Sequence, residues 1–456
     1  VEPGEWITGR GWHQSKWDSL PGKMVNGFQV HDQLSEVSPD NPVWLRHASG
    51  HAGMANAKAM EIAGLSVLNA EGMEQEVEGG EVIRDENGNP TGIFNETAMS
   101  LITRHIPERD LETHSQALDL AFEECLENGI TSFHDAGCDQ LYMDAYMKAL
   151  DENRIKVRMY VMLNSRDTTL LQEWYERGPA IGLGDDFLTV RSIKMYMDGA
   201  LGSRGAWLLE EYEDRAGHYG HETTPVPYLT KVSGDALQHG FQVCSHAIGD
   251  RANREVLDQY EAAFAANPEK AKDHRFRIEH AQHLTDEDIP RFAEMGVIPS
   301  MQAIHMSSDR PWAIYRLGLA RIREGAYVWK SLLESGARVI NGTDAPVEPV
   351  NPIACFYASV SRKTLKGEPE GGYEPEQRMT REQALKSYTL DAAYGAFEED
   401  FKGSIEVGKL ADFTVYSQDL MQVPEDQLLN TKIDHTIVNG KLLYSRKGAE
   451  EALSRR

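Results

Sequence analysis

Cysteine is scarce in this chain. Its 456 residues include four (Cys125, Cys138, Cys244, Cys355), none in a C-x-x-C pair. That excludes a disulfide frame and reads as free thiols in a reducing compartment, so a cytoplasmic location is expected. Long apolar runs are also missing. None approaches the roughly 18 residues that a membrane span needs. Positive charge is in short supply, with 46 Lys+Arg against 72 Asp+Glu and a net charge of −26. Such a chain repels phosphate backbones and anionic lipid, which argues against nucleic-acid and membrane partners. The glycine-rich stretch GALGSRG lacks a G-K-[ST] ending and is not a phosphate loop. The chain opens VEPGEWITGRGW, with neither Met nor a signal-like apolar core. The expectation is either processing or a start partway into a longer protein.

What is present describes a globular protein, 41% apolar and 26% charged. Its length suits a large barrel with an appendage. Short runs rich in Val, Ile, Phe and Met recur at 129–137, 156–163, 189–199, 241–250, 276–282, 297–305 and 338–346. Between them lie amphipathic stretches such as HSQALDLAFEECLENG and ANREVLDQYEAAFAANP. Strand alternating with helix predicts a parallel α/β sheet. Spacing fits units of roughly 30 residues, as in a barrel. Seven such strands are counted, one fewer than a closed eight-stranded barrel requires.

Three regions are expected. Residues 1–128 read as an inserted, lid-like subdomain, with a strand-turn-helix at 43–65 and a hairpin at 82–94. Residues 129–400 read as the barrel. Residues 401–456 read as part of a small β domain, with a hairpin turn at VNGK. The loop-like insertion at 199–220 would sit over a strand end, where barrels carry function.

Lys194, His246, His280 and Asp344 each fall at or near the end of a candidate strand. In a parallel barrel these ends meet at one mouth. Two imidazoles and a carboxylate meeting there suit a borderline metal ion such as zinc. Lys194 lies inside an apolar strand, SIKMYM. A buried, unpaired ammonium costs several kcal/mol, so this lysine must be paired, deprotonated or modified.

The motifs GRGWHQSKW, SGHAGMANAKAM, GGEVIRDENGNPTGIF, KMYMDGALGSRGAWL, SHAIGDRAN, RIEHAQ, GTDAPVEPVNP, SYTLDAAYGAF and GSIEVGKLADF are spread along nearly the whole chain. Together they resemble the amidohydrolase superfamily, and within it amidohydrolase family 3, the YtcJ-like metal-dependent hydrolases. The resemblance implies a (β/α)8 TIM barrel with a small β-sandwich built from both chain ends. It implies a divalent metal held by Lys194, His246, His280 and Asp344, with Lys194 carboxylated to a carbamate. One departure stands out. The family's first-strand His-x-His pair is absent, and no H-x-H occurs anywhere in the chain. The preferred reading is a chain that lacks its natural N-terminal segment; the other is a homologue that lost the pair.

The chemistry this implies is hydrolysis of an amide or related C–N bond in a small-molecule substrate, such as an N-substituted formamide or N-acyl amine. Asp344 would act as general base and then acid. Trp12, His51, Asp198, Gln302 and His305 are the expected substrate contacts, with loop shaping as the alternative for Asp198. His134 and Asp135, at the end of the second-strand candidate, are further candidates for the mouth, with core hydrogen bonding as the alternative. Arg204 pairs either a substrate carboxylate or a nearby acid such as Glu211 or Asp214. Two other classes stay open: a Schiff-base barrel lyase using Lys194, and a non-catalytic scaffold. A homodimer is the expected assembly.

Overall fold

The computed structural model describes residues 1–19, 21–65 and 77–449. Its N-terminal part is a five-stranded sheet of β1 (Ile7–Trp12), β2 (Val43–His47), β3 (Ala52–Ala55), β4 (Gly80–Arg84) and β5 (Pro90–Glu96), in the order β1-β2-β3-β5-β4. The hairpin expected at 82–94 is the antiparallel β4–β5 pair. The segment expected to be a turn after β2 instead contains β3. Small side chains there (AGMA) let the backbone lie flat between β2 and β5, and Gly53 faces the Trp44 ring at a distance no Cβ could share.

The central sheet contains β6 (Ser132–Cys138), β7 (Arg158–Asn164), β8 (Leu188–Tyr196), β9 (Gln242–Ala247), β10 (Arg277–His280), β11 (Ile298–Met301) and β12 (Ile340–Asn341). These run parallel in sequential order, and Ala180–Gly182 adds an antiparallel pairing to β8. They are the seven strands counted from the sequence. The sheet curls into a half-barrel, and its end strands β6 and β12 do not pair with each other.

Helices cover the outer face, as right-handed βαβ crossovers require. α1 (Leu111–Glu127), α2 (Gln140–Asp151) and α3 (Thr168–Arg177) each start at an aspartate (Asp110, Asp139, Asp167) whose carboxylate accepts backbone N–H groups of the first turn. α4 (Val226–His239) and α5 (Asp250–Ala266) pack side by side over β9. β7 is apolar along MYVML and buried on both faces, as expected for a central parallel strand.

The 297–305 segment departs from expectation. β11 stops at Met301, and α6 (Ala303–Gly325) begins at once with Gln302 as its cap. Gln302 and His305 therefore belong to a helix start, not a strand end. The C-terminal strands β13 (Phe413–Tyr416), β14 (Ile433–Val438) and β15 (Lys441–Ser445) form one antiparallel sheet. Thr436 donates to the carbonyl of Leu126 and Thr414 to that of Gly129, seating this sheet on the end of α1. Among the described residues it is a single β layer, not a complete sandwich. No helix of the described residues is long and apolar enough to cross a membrane.

Candidate active site

The register of the parallel strands decides what meets at the mouth. Tyr196 on β8 is level with His246 on β9, and His246 with Glu279 on β10. Lys194 lies one layer deeper, level with Cys244. Simple alternation would turn His280 away from the interior, since its neighbour Glu279 already points inward. His280 instead takes φ +77°, the left-handed region, and the backbone twist brings its ring to His246, with centroids 4.5 Å apart. Asp344, just past β12, is also left-handed at φ +55°. Each such residue costs of order 1–3 kcal/mol, and strain of this kind gathers at functional sites.

His280, His305 and Asp344 each offer a ligand atom within 4.8 Å of the others. His305 Nε2 lies 3.3 Å from Asp344 Oδ2, and its Nδ1 lies 3.6 Å from Glu348 Oε1. Burial opposes charge on His305, but these two carboxylates raise its pKa to about 10. Burial would likewise raise the Asp344 carboxyl; the hydrogen bond from His305 and the positive charges of His305 and Lys194 bring it down to about 2. His280 Nδ1 donates to Gln302 Oε1 at 2.6 Å. That fixes the tautomer and leaves Nε2 as a lone pair. Burial lowers the pKa of His280 to about 3 and holds His246 well below the ordinary imidazole range. Both are neutral, as metal-ligating imidazoles must be.

Lys194 is buried below this group. Its ammonium sits 5.0 Å from the centroid of the Tyr196 ring. Among the described residues no carboxylate comes within 4 Å of its Nζ, and burial lowers its pKa despite Glu279 and Asp344.

A solvent-open cavity lies over the mouth. His51, His246, His280, His305 and Asp344 reach it. Lys194, Trp12, Asp198 and Gln302 do not line it. Trp12 donates from Nε1 to the carbonyl of Leu45 and packs on Phe28 and His47. Its neighbour His13 takes the cavity position instead. Asp198 lies beyond the end of β8, so alternation does not place it with Lys194. Its carboxylate, fully buried, accepts the backbone N–H groups of Trp207, Ile248 and Gly249 at 2.8–3.0 Å. It joins the 199–220 loop to the β9 end, which is the loop-shaping alternative. Gln302 acts on the site through His280.

Other residues resolve as the blander alternatives suggested. Arg277 donates to His134 Nδ1, and Asp135 bonds Tyr146 and Cys138. Arg204 makes a two-pronged pair with Asp214. The sequence reading missed His13, His47, Lys16, Asp309, Trp312 and Glu348, which line the cavity. His13 and Lys16 sit inside the quoted motif GRGWHQSKW and Glu348 inside GTDAPVEPVNP; the others lie outside the quoted motifs. A second gathering, Glu81, His218 and His221, lies under the 199–220 loop. Arg215 donates to both oxygens of Glu81 there, fastening the loop to β4.

The amidohydrolase family model matches residues 1–444. The chain belongs to the amidohydrolase family. This amidohydrolase is 31% identical to YtcJ of Bacillus subtilis strain 168, over 97% of its own length and 80% of that protein's. It is 25% identical to the N-substituted formamide deformylase of Arthrobacter pascens, over 98% of its length and 81% of that enzyme's. A crystal structure of an uncharacterized metal-dependent hydrolase from Pyrococcus horikoshii superposes on it with a TM-score of 0.71 at 26% identity. That match covers 92% of this chain and 79% of the other.

Proposed function

We propose that this amidohydrolase uses a divalent metal to hydrolyse an amide or related C–N bond in a small molecule, an N-substituted formamide or N-acyl amine being the class tested first. The observation that carries the reading is the convergence of His246, His280, His305 and Asp344 on one cavity, with a buried lysine beneath. The name of the Arthrobacter relative and the metal dependence of the Pyrococcus protein point the same way.

The donor set suits such an ion. Two neutral imidazoles and an ionised carboxylate match zinc. Lys194 fits only if its charge is removed. Its neutral amine would add carbon dioxide and release a proton, leaving an anionic carbamate oxygen beside His246 and His280. Bound there, a divalent ion supplies Lewis acidity toward the scissile carbonyl and its water.

The chain's own groups then divide the work. Asp344, held ionised, accepts the proton of the attacking water and delivers it to the leaving amine nitrogen. His305, held cationic between Asp344 and Glu348, keeps that carboxylate in place. Gln302 orients His280. The first 128 residues act as the insertion that walls the cavity, and an eighth strand between β6 and β12 would complete the (β/α)8 barrel. The protein is proposed to be cytoplasmic and homodimeric.

The metal-loaded protein is assayed for amine release over a panel of N-substituted formamides and N-acyl amines. Turnover is expected, lost on chelation and restored by zinc. Stoichiometric metal binding with no turnover across the panel would establish a scaffold instead. Trapping of Lys194 by borohydride with substrate would establish the lyase.

A further inference from the structure

His51 and Glu96 sit opposite each other where β3 and β5 enter the cavity. The β3–β5 ladder pairs Ala52 with Asn95, and the next step out brings the Glu96 N–H to the His51 carbonyl at 3.0 Å. Their side chains meet as well, with His51 Nδ1 2.8 Å from Glu96 Oε2. The Glu96 side chain is 3% exposed and its Oε1 is buried without a partner. A carboxylate can only accept, so Nδ1 carries a proton. Nε2 has no partner among the described residues, on a ring that lines the cavity and lies 4.8 Å from that of His246.

The 199–220 loop is shaped around this carboxylate. A Cβ on Gly199 would lie 1.8 Å from Glu96 Oε1, and one on Gly205 2.0 Å from it. Asn95 reaches the same loop, donating to the Ser203 carbonyl. Glu96 itself is left-handed, at φ +51°. A strained, buried carboxylate in a notch between two glycines, with one cavity imidazole as its side-chain partner, is costly to build. A surface fastening would not need it.

We propose that His51 Nε2 accepts the N–H of the substrate's amide, and that Glu96 is the positioning residue that fixes His51 in the tautomer able to do so. The substrate class is then narrowed to amides that keep an N–H, with N,N-disubstituted amides rejected. This rests on the hydrolase reading above and adds to it a group that recognises the leaving nitrogen. A site built to pair a ligand N–H discriminates against the analogue that lacks it.

The test compares N-benzylformamide with N-benzyl-N-methylformamide on the zinc-loaded protein. It also compares the affinities of N-benzylmethanesulfonamide and its N-methyl counterpart, which resist hydrolysis. His51→Phe keeps a ring of similar bulk and removes the acceptor; Glu96→Gln leaves the ring and changes its partner. The wild type is expected to favour the N–H member of each pair by at least about tenfold. His51→Phe should bring both ratios to within about twofold of unity, and Glu96→Gln should lower them in the same direction. Zinc content should stay that of the wild type. Equal loss on both members of a pair would mark a structural role and overturn the proposal. So would a fall in zinc content, which would make His51 a ligand. If the inert pair is discriminated through His51 while neither formamide is turned over, the hydrolase reading fails and this one stands. Turnover without discrimination gives the reverse.

Discussion

At the scale of single residues, the environment of a side chain decides its role more than its type does. Asp198 and Asp344 are both aspartates just past a strand end. Asp344 keeps 37% of its side chain exposed at the cavity and is held ionised by His305. Asp198 has none, and spends both oxygens on three backbone N–H groups. Burial pushes its carboxyl well above the usual range in spite of them. Asp198→Ala would leave three buried donors unmet, so a loss of about 2–4 kcal/mol in urea unfolding is expected. Asp198→Asn, with one oxygen retained, should lose less. An Ala variant as stable as the parent would refute the fastening role. Both aspartates were visible in the sequence as polar residues next to apolar strands. Their difference was not, because it depends on which backbone amides the 199–220 loop and the β9 end bring up to them.

At the scale of elements, the strands and helices of residues 129–346 were legible from local patterning. Apolar runs mark β6 to β12, and amphipathic stretches mark helices between them. Junctions were less so. The Gln302–His305 segment reads equally well as strand or as the first turn of α6, and short apolar runs carry no period to separate them. The N-terminal sheet was read in part: its β4–β5 hairpin carries Asn-Gly turn chemistry, whereas β3 has little side chain to betray it. The 199–220 loop shows composition without conformation. Its glycines are required by Glu96, which is 103 positions upstream of Gly199. Gly205→Ala would place a Cβ 2.0 Å from Glu96 Oε1, and the loop or the carboxylate must move. A loss of about 1–3 kcal/mol is expected by thermal unfolding, together with faster protease nicking inside 199–220. An unchanged melting temperature would show that the loop does not seat on Glu96.

At the scale of the whole molecule, a few buried ion pairs join distant parts. Arg158 on β7 makes a two-pronged pair with Asp412, which leads into β13, at 2.7 and 3.1 Å. The guanidinium is 1% exposed and the carboxylate 7%. Breaking one partner leaves a buried charge alone, whereas replacing both need not. Arg158→Ala is therefore expected to cost about 3–5 kcal/mol in denaturant unfolding. The double variant Arg158→Met with Asp412→Leu should recover most of it. No recovery would mean that the pair contributes more than mutual charge compensation.

The sequence by itself determined the parallel α/β architecture, the strand count, the family and the candidate ligands, because periodicity, caps and motifs are written in neighbouring residues. Only the tertiary structure decided which of them share a cavity. The approach of His305 to Asp344, the replacement of Trp12 by His13, and the seating of Glu96 between Gly199 and Gly205 all depend on backbone twist and register across separate strands. Those are set by packing over the whole fold, and no local stretch of the chain carries them.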